Sequence, residues 1–181
     1  MPHTVLATLV NHGVYKNIFY GRNLTKIPDS LFTVPWWYRT TFTLPEVGSN
    51  QTTRLRFNGI NYRADIWING HQVASKDTLE GSFRRFTLDV SKYVKRGENV
   101  LALKIGRPEK GDLAIGFVDW NPEPADKDMG IWRDVHLLIS GPVALDLPFV
   151  QTDVDTATLD HADITISAVA HNYADKTING T

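Results

Sequence analysis

From Tyr38 onward the chain alternates apolar and polar positions with a period of two, the pattern of strands that bury one face. Tyr38 to Leu44 is β-rich and stopped by Pro45. Thr53 to Phe57 sets Leu55 and Phe57 against Arg54 and Arg56, and Ala64, Ile66 and Ile68 share a face opposite Asp65 and Trp67. Asn69-Gly70 then predicts a two-residue hairpin with a returning strand over His71 to Val73, because both turn positions favour positive φ. Phe83 to Leu88 alternates again, and Asp89 is placed to cap a single turn through Tyr93 that Gly97 closes. Leu101, Leu103 and Ile105 point inward from a strand over Asn99 to Ile105. Ile131, Val135, Leu137 and Ile139 line one face of the next strand, with Trp132 and Leu138 on the other. So many strands without a sustained helical period predict an all-β fold, an antiparallel sandwich or jelly roll.

Two stretches depart from the alternation before this sheet. Val5 to Val10 is a short apolar run bounded by Pro2 and Asn11-His12-Gly13, which predicts one or two helical turns stopped at glycine. Tyr15 to Pro35 is broken by Gly21, Asn23, Pro28 and Asp29 and reads as an arm laid across the sheet, ending in Trp36-Trp37-Tyr38, whose aromatics are read as packing residues. Downstream, Gly141-Pro142 and Pro148 interrupt the chain. Ile164, Ile166, Ala168 and Ala170 alternate in one more strand, and too few strands follow for a separate core. The expected division is residues 1–145 as the first domain and 146–181 as the opening strands of a second, a piece trimmed from a longer chain.

The bulk properties exclude whole classes of function. Nineteen basic and twenty acidic side chains give a formal net charge of −1, so neither nucleic acid nor an anionic membrane is an expected partner. With no cysteine there is no disulfide, thiolate metal site or thiol nucleophile, and the compartment stays open. No apolar run of about eighteen residues predicts a membrane helix. Three Asn-X-Thr sequons carry little weight. No GxSxG elbow, no HExxH spacing and no glycine-rich phosphate loop is present, so the expected metal and cofactor are none.

The polar chemistry gathers in one loop, DWNPEPADKDMGIWRDV, from Asp119 to Val135. Asp119, Glu123, Asp126 and Asp128 set four carboxylates beside Trp120 and Asn121, while Pro122 and Pro124 fix two φ angles and reduce the entropy a ligand must remove. Carboxylates and the amide accept hydroxyl hydrogens, and an indole covers the C–H face of a pyranose, so the set suits a carbohydrate. Ordinary turn chemistry would also explain acids, Asn and Pro together. A calcium loop of the EF-hand type is ruled out, since the sixth position from Asp119 is Pro124 and the twelfth is Gly130. Glycosidic hydrolysis needs two facing carboxyl groups, about 5 Å apart for retention; one loop supplies no second wall, so no catalytic residue is expected.

The segments TLPEVGSNQTTRLRFNGINYRADIWINGHQVASK, GSFRRFTLDVSKYVKRGENVLALKI and DWNPEPADKDMGIWRDVHLL occur in family order and resemble the amino-terminal sugar-binding domain of glycoside hydrolase family 2 over roughly residues 1 to 145. YGRNLTKIPDSLFTVPWWYRTTF and GFVDWNPEPADKDMG look most like the exo-β-D-glucosaminidase branch, close to the β-mannosidases. The resemblance implies a galactose-binding-domain-like jelly roll, then an immunoglobulin-like β-sandwich beginning after Pro148, then a barrel carrying two catalytic glutamates. It also implies that this domain is noncatalytic, that its partners are a β-linked glucosamine or related oligosaccharide and that barrel, and that the protein is periplasmic or secreted. The resemblance further implies that a loop of this domain reaches toward the substrate pocket, and relatives carry an acidic residue shortly before the GIWRDV-like strand; Asp126 and Asp128 both fit, with Asp119, Trp120 and Asn121 beside them. A carboxylate there could pair with a substrate ammonium. Two other readings stay open: a free-standing carbohydrate-binding module, and a parent enzyme of β-mannosidase or β-galactosidase type. Trp132 is read as interdomain packing.

Overall fold

A computed structural model describes residues 2–180, apart from Val47, Ser49, Val118 and Asp119. It is mostly antiparallel strand, as the alternation predicts. The chain divides into two compact units, residues 1–47 with 53–138, and residues 48–52 with 139–181.

In the first unit, α1 (Val5–Asn11) is short because Thr4 caps its start, accepting the Ala7 N–H at 3.2 Å, and Gly13 at φ 75° ends it. Two single 3₁₀ turns, Leu24–Lys26 and Asp29–Phe32, follow in the arm, and Phe32 is completely buried. One sheet has the order β1-β7-β4-β5, formed by β1 (Trp36–Leu44), β7 (Gly97–Gly106), β4 (Arg63–Ile68) and β5 (His71–Ala74). Its register pairs Trp36 with Ile105 and Ala64 with Ile105, which puts Ala64, Ile66, Leu103 and Ile105 on the inner face, all buried. The second sheet is β6-β2-β9, with β2 (Thr52–Phe57) between β6 (Phe86–Asp89) and β9 (Val135–Ser140). Leu55 and Phe57 join the same core. A short pair, β3 (Ile60–Asn61) with β8 (Gly130–Ile131), matches Ile60 to Ile131.

The hairpin at Asn69-Gly70 has both residues at positive φ, 49° and 86°, the primed turn that strand twist favours. Two expected strands meet a different structure. Phe83 to Arg85 are not strand, because Gly81 at φ 117° opens a turn closed by Arg84 N–H to Gly81 C=O at 3.2 Å. The strand read from Ile131 to Ile139 breaks after Ile131. Trp132 turns inside the unit, its indole N–H donating to Ser82 C=O at 2.9 Å, and a Cβ on Gly59 would lie 2.7 Å from that nitrogen, so glycine is what lets the ring in.

The second unit is a ribbon of β10 (Val143–Val154) and β11 (Ala162–Asn172), paired antiparallel. Pro148 does not end the strand. It sits where the register shifts between Asp146 and Phe149, with Leu147 at φ 52°, and a bulge tolerates a residue that cannot donate to the ladder.

Candidate functional site

The loop before β8 is held by buried polar groups on three elements. Residues 125–128 form a turn in which Lys127 N–H donates to Pro124 C=O and Met129 N–H to Asp126 C=O, each at 2.9 Å. Lys127 and Asp128 both take left-handed backbone, φ 52° and 56°. Asn61, at the end of β3 and fully buried, fixes that unusual path: its Nδ2 donates to the Lys127 and Asp128 carbonyls, both at 2.9 Å, while Ser82 Oγ donates to its Oδ1 at 2.6 Å. An amide with both donors and its acceptor engaged in the interior is a rigid clamp.

Asp126 and Asp128 lie in this turn with different surroundings. Asp126 is wholly buried, and both of its oxygens serve the backbone: Leu6 N–H donates to Oδ2 at 2.7 Å and Asp128 N–H to Oδ1 at 3.1 Å. It thereby ties the first turn of α1 to the loop, helped by Val5 N–H to Met129 C=O at 2.8 Å. Burial pushes its carboxyl above the usual carboxylate range, and the hydrogen bonds from Leu6, Asp128 and Thr4 offset only part of that. Asp128 is half-buried, and its carboxyl is also pushed up, first by burial and then by the negative charge of Asp126. Tyr38 closes the same corner: its hydroxyl donates to His3 C=O at 2.8 Å, and burial followed by Asp126 pushes the phenol up.

Of the other residues expected at the site, Trp120 is 85% exposed, with nothing lying over its indole faces among the described contacts, and Asn121 is exposed beside it. Glu123 faces solvent and pairs with Lys127 at 3.2 Å. Asp119 lies outside the described residues. The structure therefore brings Asp126 and Asp128 together and leaves Trp120 and Asn121 on the same loop nearer solvent. Sequence reasoning did not find Asn61 or Ser82. A lone Asn between Ile60 and Tyr62 carries no periodic signal, and only the fold reveals that the loop's carbonyls reach it.

Among the described residues, one group of metal-ligating type is gathered, Asp155, Asp160 and His161 at the tip of the β10–β11 ribbon. Asp155 is already engaged as a turn cap, accepting Ala157 N–H at 2.8 Å.

A family profile described as glycosyl hydrolase 2 galactose-binding domain-like matches residues 1–114. An exo-β-D-glucosaminidase of Arthroderma benhamiae is 43% identical over 98% of this chain and 21% of its own length. Its counterpart in Streptomyces avermitilis is 41% identical over 98% of this chain and 20% of its own. The crystal structure of the exo-chitosanase of Amycolatopsis orientalis superposes with a TM-score of 0.89 at 39% identity, covering 96% of this chain and 20% of that one. The chain thus spans about a fifth of the relatives it matches.

Proposed function

The chain belongs to the galactose-binding-like, amino-terminal domain family of glycoside hydrolase family 2, and from that premise we propose that it is the noncatalytic domain of an exo-acting β-glycosidase that removes glucosamine. Its loop is one wall of a substrate pocket whose catalytic carboxylates stand on another domain. The observation that carries this reading is the inequality of the two aspartates. Asp126 has both oxygens occupied by the backbone and acts as the loop's anchor, so the contact to substrate falls to Asp128. A half-buried carboxylate with a raised proton affinity is suited to an amino sugar: the substrate ammonium supplies the positive charge that restores its ionised form. Trp120 and Asn121 offer the apolar face and the amide that a pyranose ring uses.

The relatives named above support the sugar: two are exo-β-D-glucosaminidases, and the Amycolatopsis orientalis enzyme has also been solved with PNP-β-D-glucosamine. A second reading, a carbohydrate-binding module active by itself, is favoured only by the exposure of Trp120. Titrating the 181-residue chain calorimetrically with glucosamine, chitobiose and mannose separates the two. The shared-pocket reading expects heats too weak to saturate; saturable binding of chitobiose that Trp120→Ala abolishes would replace it with the module.

A further inference from the structure

We infer that the surface formed by β2, the turn after Gly81 and the bend between β8 and β9 is a binding pocket for a carboxylate. It is a concavity of about 570 Å³, separate from the loop clamp, and three guanidiniums line it: Arg56 from β2, Arg85 from the turn and Arg133 from the bend. Asp134 is the one acidic residue on its lining. The remaining walls are Asn58 and two aromatics, Phe83 and Trp132.

Two arginines elsewhere in the first unit have counter-charges. Arg63 stands among Asp112, Glu109 and Glu80 at 3.0 to 3.6 Å, and Arg96 pairs with Glu46 at 3.1 Å. Among the described residues Arg56, Arg85 and Arg133 form no such pair. Arg56 is half-buried, whereas Arg85 and Arg133 are exposed. A half-buried cation without a counter-charge favours an anion, and a planar guanidinium meets a carboxylate through two parallel hydrogen bonds.

The pocket is also built in advance. Trp132 is pinned by its bond to Ser82 C=O at 2.9 Å, Phe83 meets it edge-on at 5.5 Å, and Arg133 lies 4.3 Å over its ring. That contact holds one guanidinium against an aromatic face without using up its donors. Phe83 is 65% exposed, so the ligand would carry an apolar flank next to its carboxylate. Guanidinium with rigid aromatics is the composition that concentrates binding energy at interfaces. Two sources offer this chemistry, a free organic acid or the acidic side chains of a polypeptide segment.

The test is independent of the sugar-site reading, since neither Asp128 nor Trp120 enters it. The 181-residue chain is titrated with citrate and with tetraglutamate at matched ionic strength, following side-chain Nε–H resonances of arginine and thermal midpoint. Saturable shifts are expected that weaken about tenfold or more in Arg56→Gln, the scale of one charge-assisted hydrogen bond, with smaller losses in Arg85→Gln and none in Arg96→Gln. If Arg56→Gln does not fold, Arg85→Gln, exposed on its turn, supplies the comparison. Tighter binding of tetraglutamate assigns the pocket to a polypeptide's carboxylates, and tighter binding of citrate to a free acid. Shifts no greater than those of sodium chloride, or shifts that Arg96→Gln weakens as much as Arg56→Gln and Arg85→Gln, overturn the assignment.

Discussion

Two aspartates separated by one residue have different surroundings here, and stability measurements tell them apart. Replacing Asp126 with Asn leaves a single acceptor oxygen for two backbone N–H donors and should cost about 1–3 kcal/mol in the first unit's unfolding free energy, since one buried donor loses its partner. Asp128→Asn, by contrast, removes a negative charge set against Asp126 and should leave stability at neutral pH equal or higher. Both carboxyls are raised above their ordinary range by burial. A raised carboxyl binds its proton more tightly folded than unfolded. Its contribution is therefore fully present below the unfolded value, about 3.9, and is lost as pH rises through the folded one. Urea titrations from about pH 3 to about pH 7, a range that spans the unfolded value, should show this contribution falling as pH climbs, with a flatter profile in Asp128→Asn. A steeper profile in the variant would contradict the assignment.

Among the elements, the join of α1, β3 and β8 matters most, because it carries the loop. Gly130, on β8, is where the packing is tightest: a Cβ there would lie 2.5 Å from Tyr38 Oη and 2.7 Å from Thr4 Cα, at φ 145°. Gly130→Ala should cost about 2–4 kcal/mol, combining backbone strain with a clash that no side-chain rotation relieves, and circular dichroism melts would register it. Much of this level was readable in advance. Period-two patterns at Thr53 to Phe57 and Ala64 to Ile68 gave strands, and Asn69-Gly70 gave its hairpin, because each signal is local. What escaped prediction is non-local. Trp132 alternates like an outward residue, yet Gly59, 73 positions earlier by the numbering, leaves the space its ring enters. Likewise Pro148 reads as a strand breaker until its bulge is seen. In the loop itself the carboxylates were visible as composition, but which one is buried depends on Leu6, 120 residues away.

For the whole molecule, the proposed function makes this chain a positioning domain rather than a catalyst, one wall of a pocket that another domain would complete. Its fold and family are those of relatives about five times its length, which it spans over about a fifth. The measurement that bears most directly on this is steady-state hydrolysis by the full-length parent carrying Asp128→Asn, comparing a β-glucosaminide with the matching β-glucoside. The account predicts a fall in kcat/KM of about tenfold or more for the amino sugar, the scale of one charge-assisted contact, with little change for the neutral sugar. Unchanged kinetics on both substrates, with the variant folded as the wild type, would contradict it.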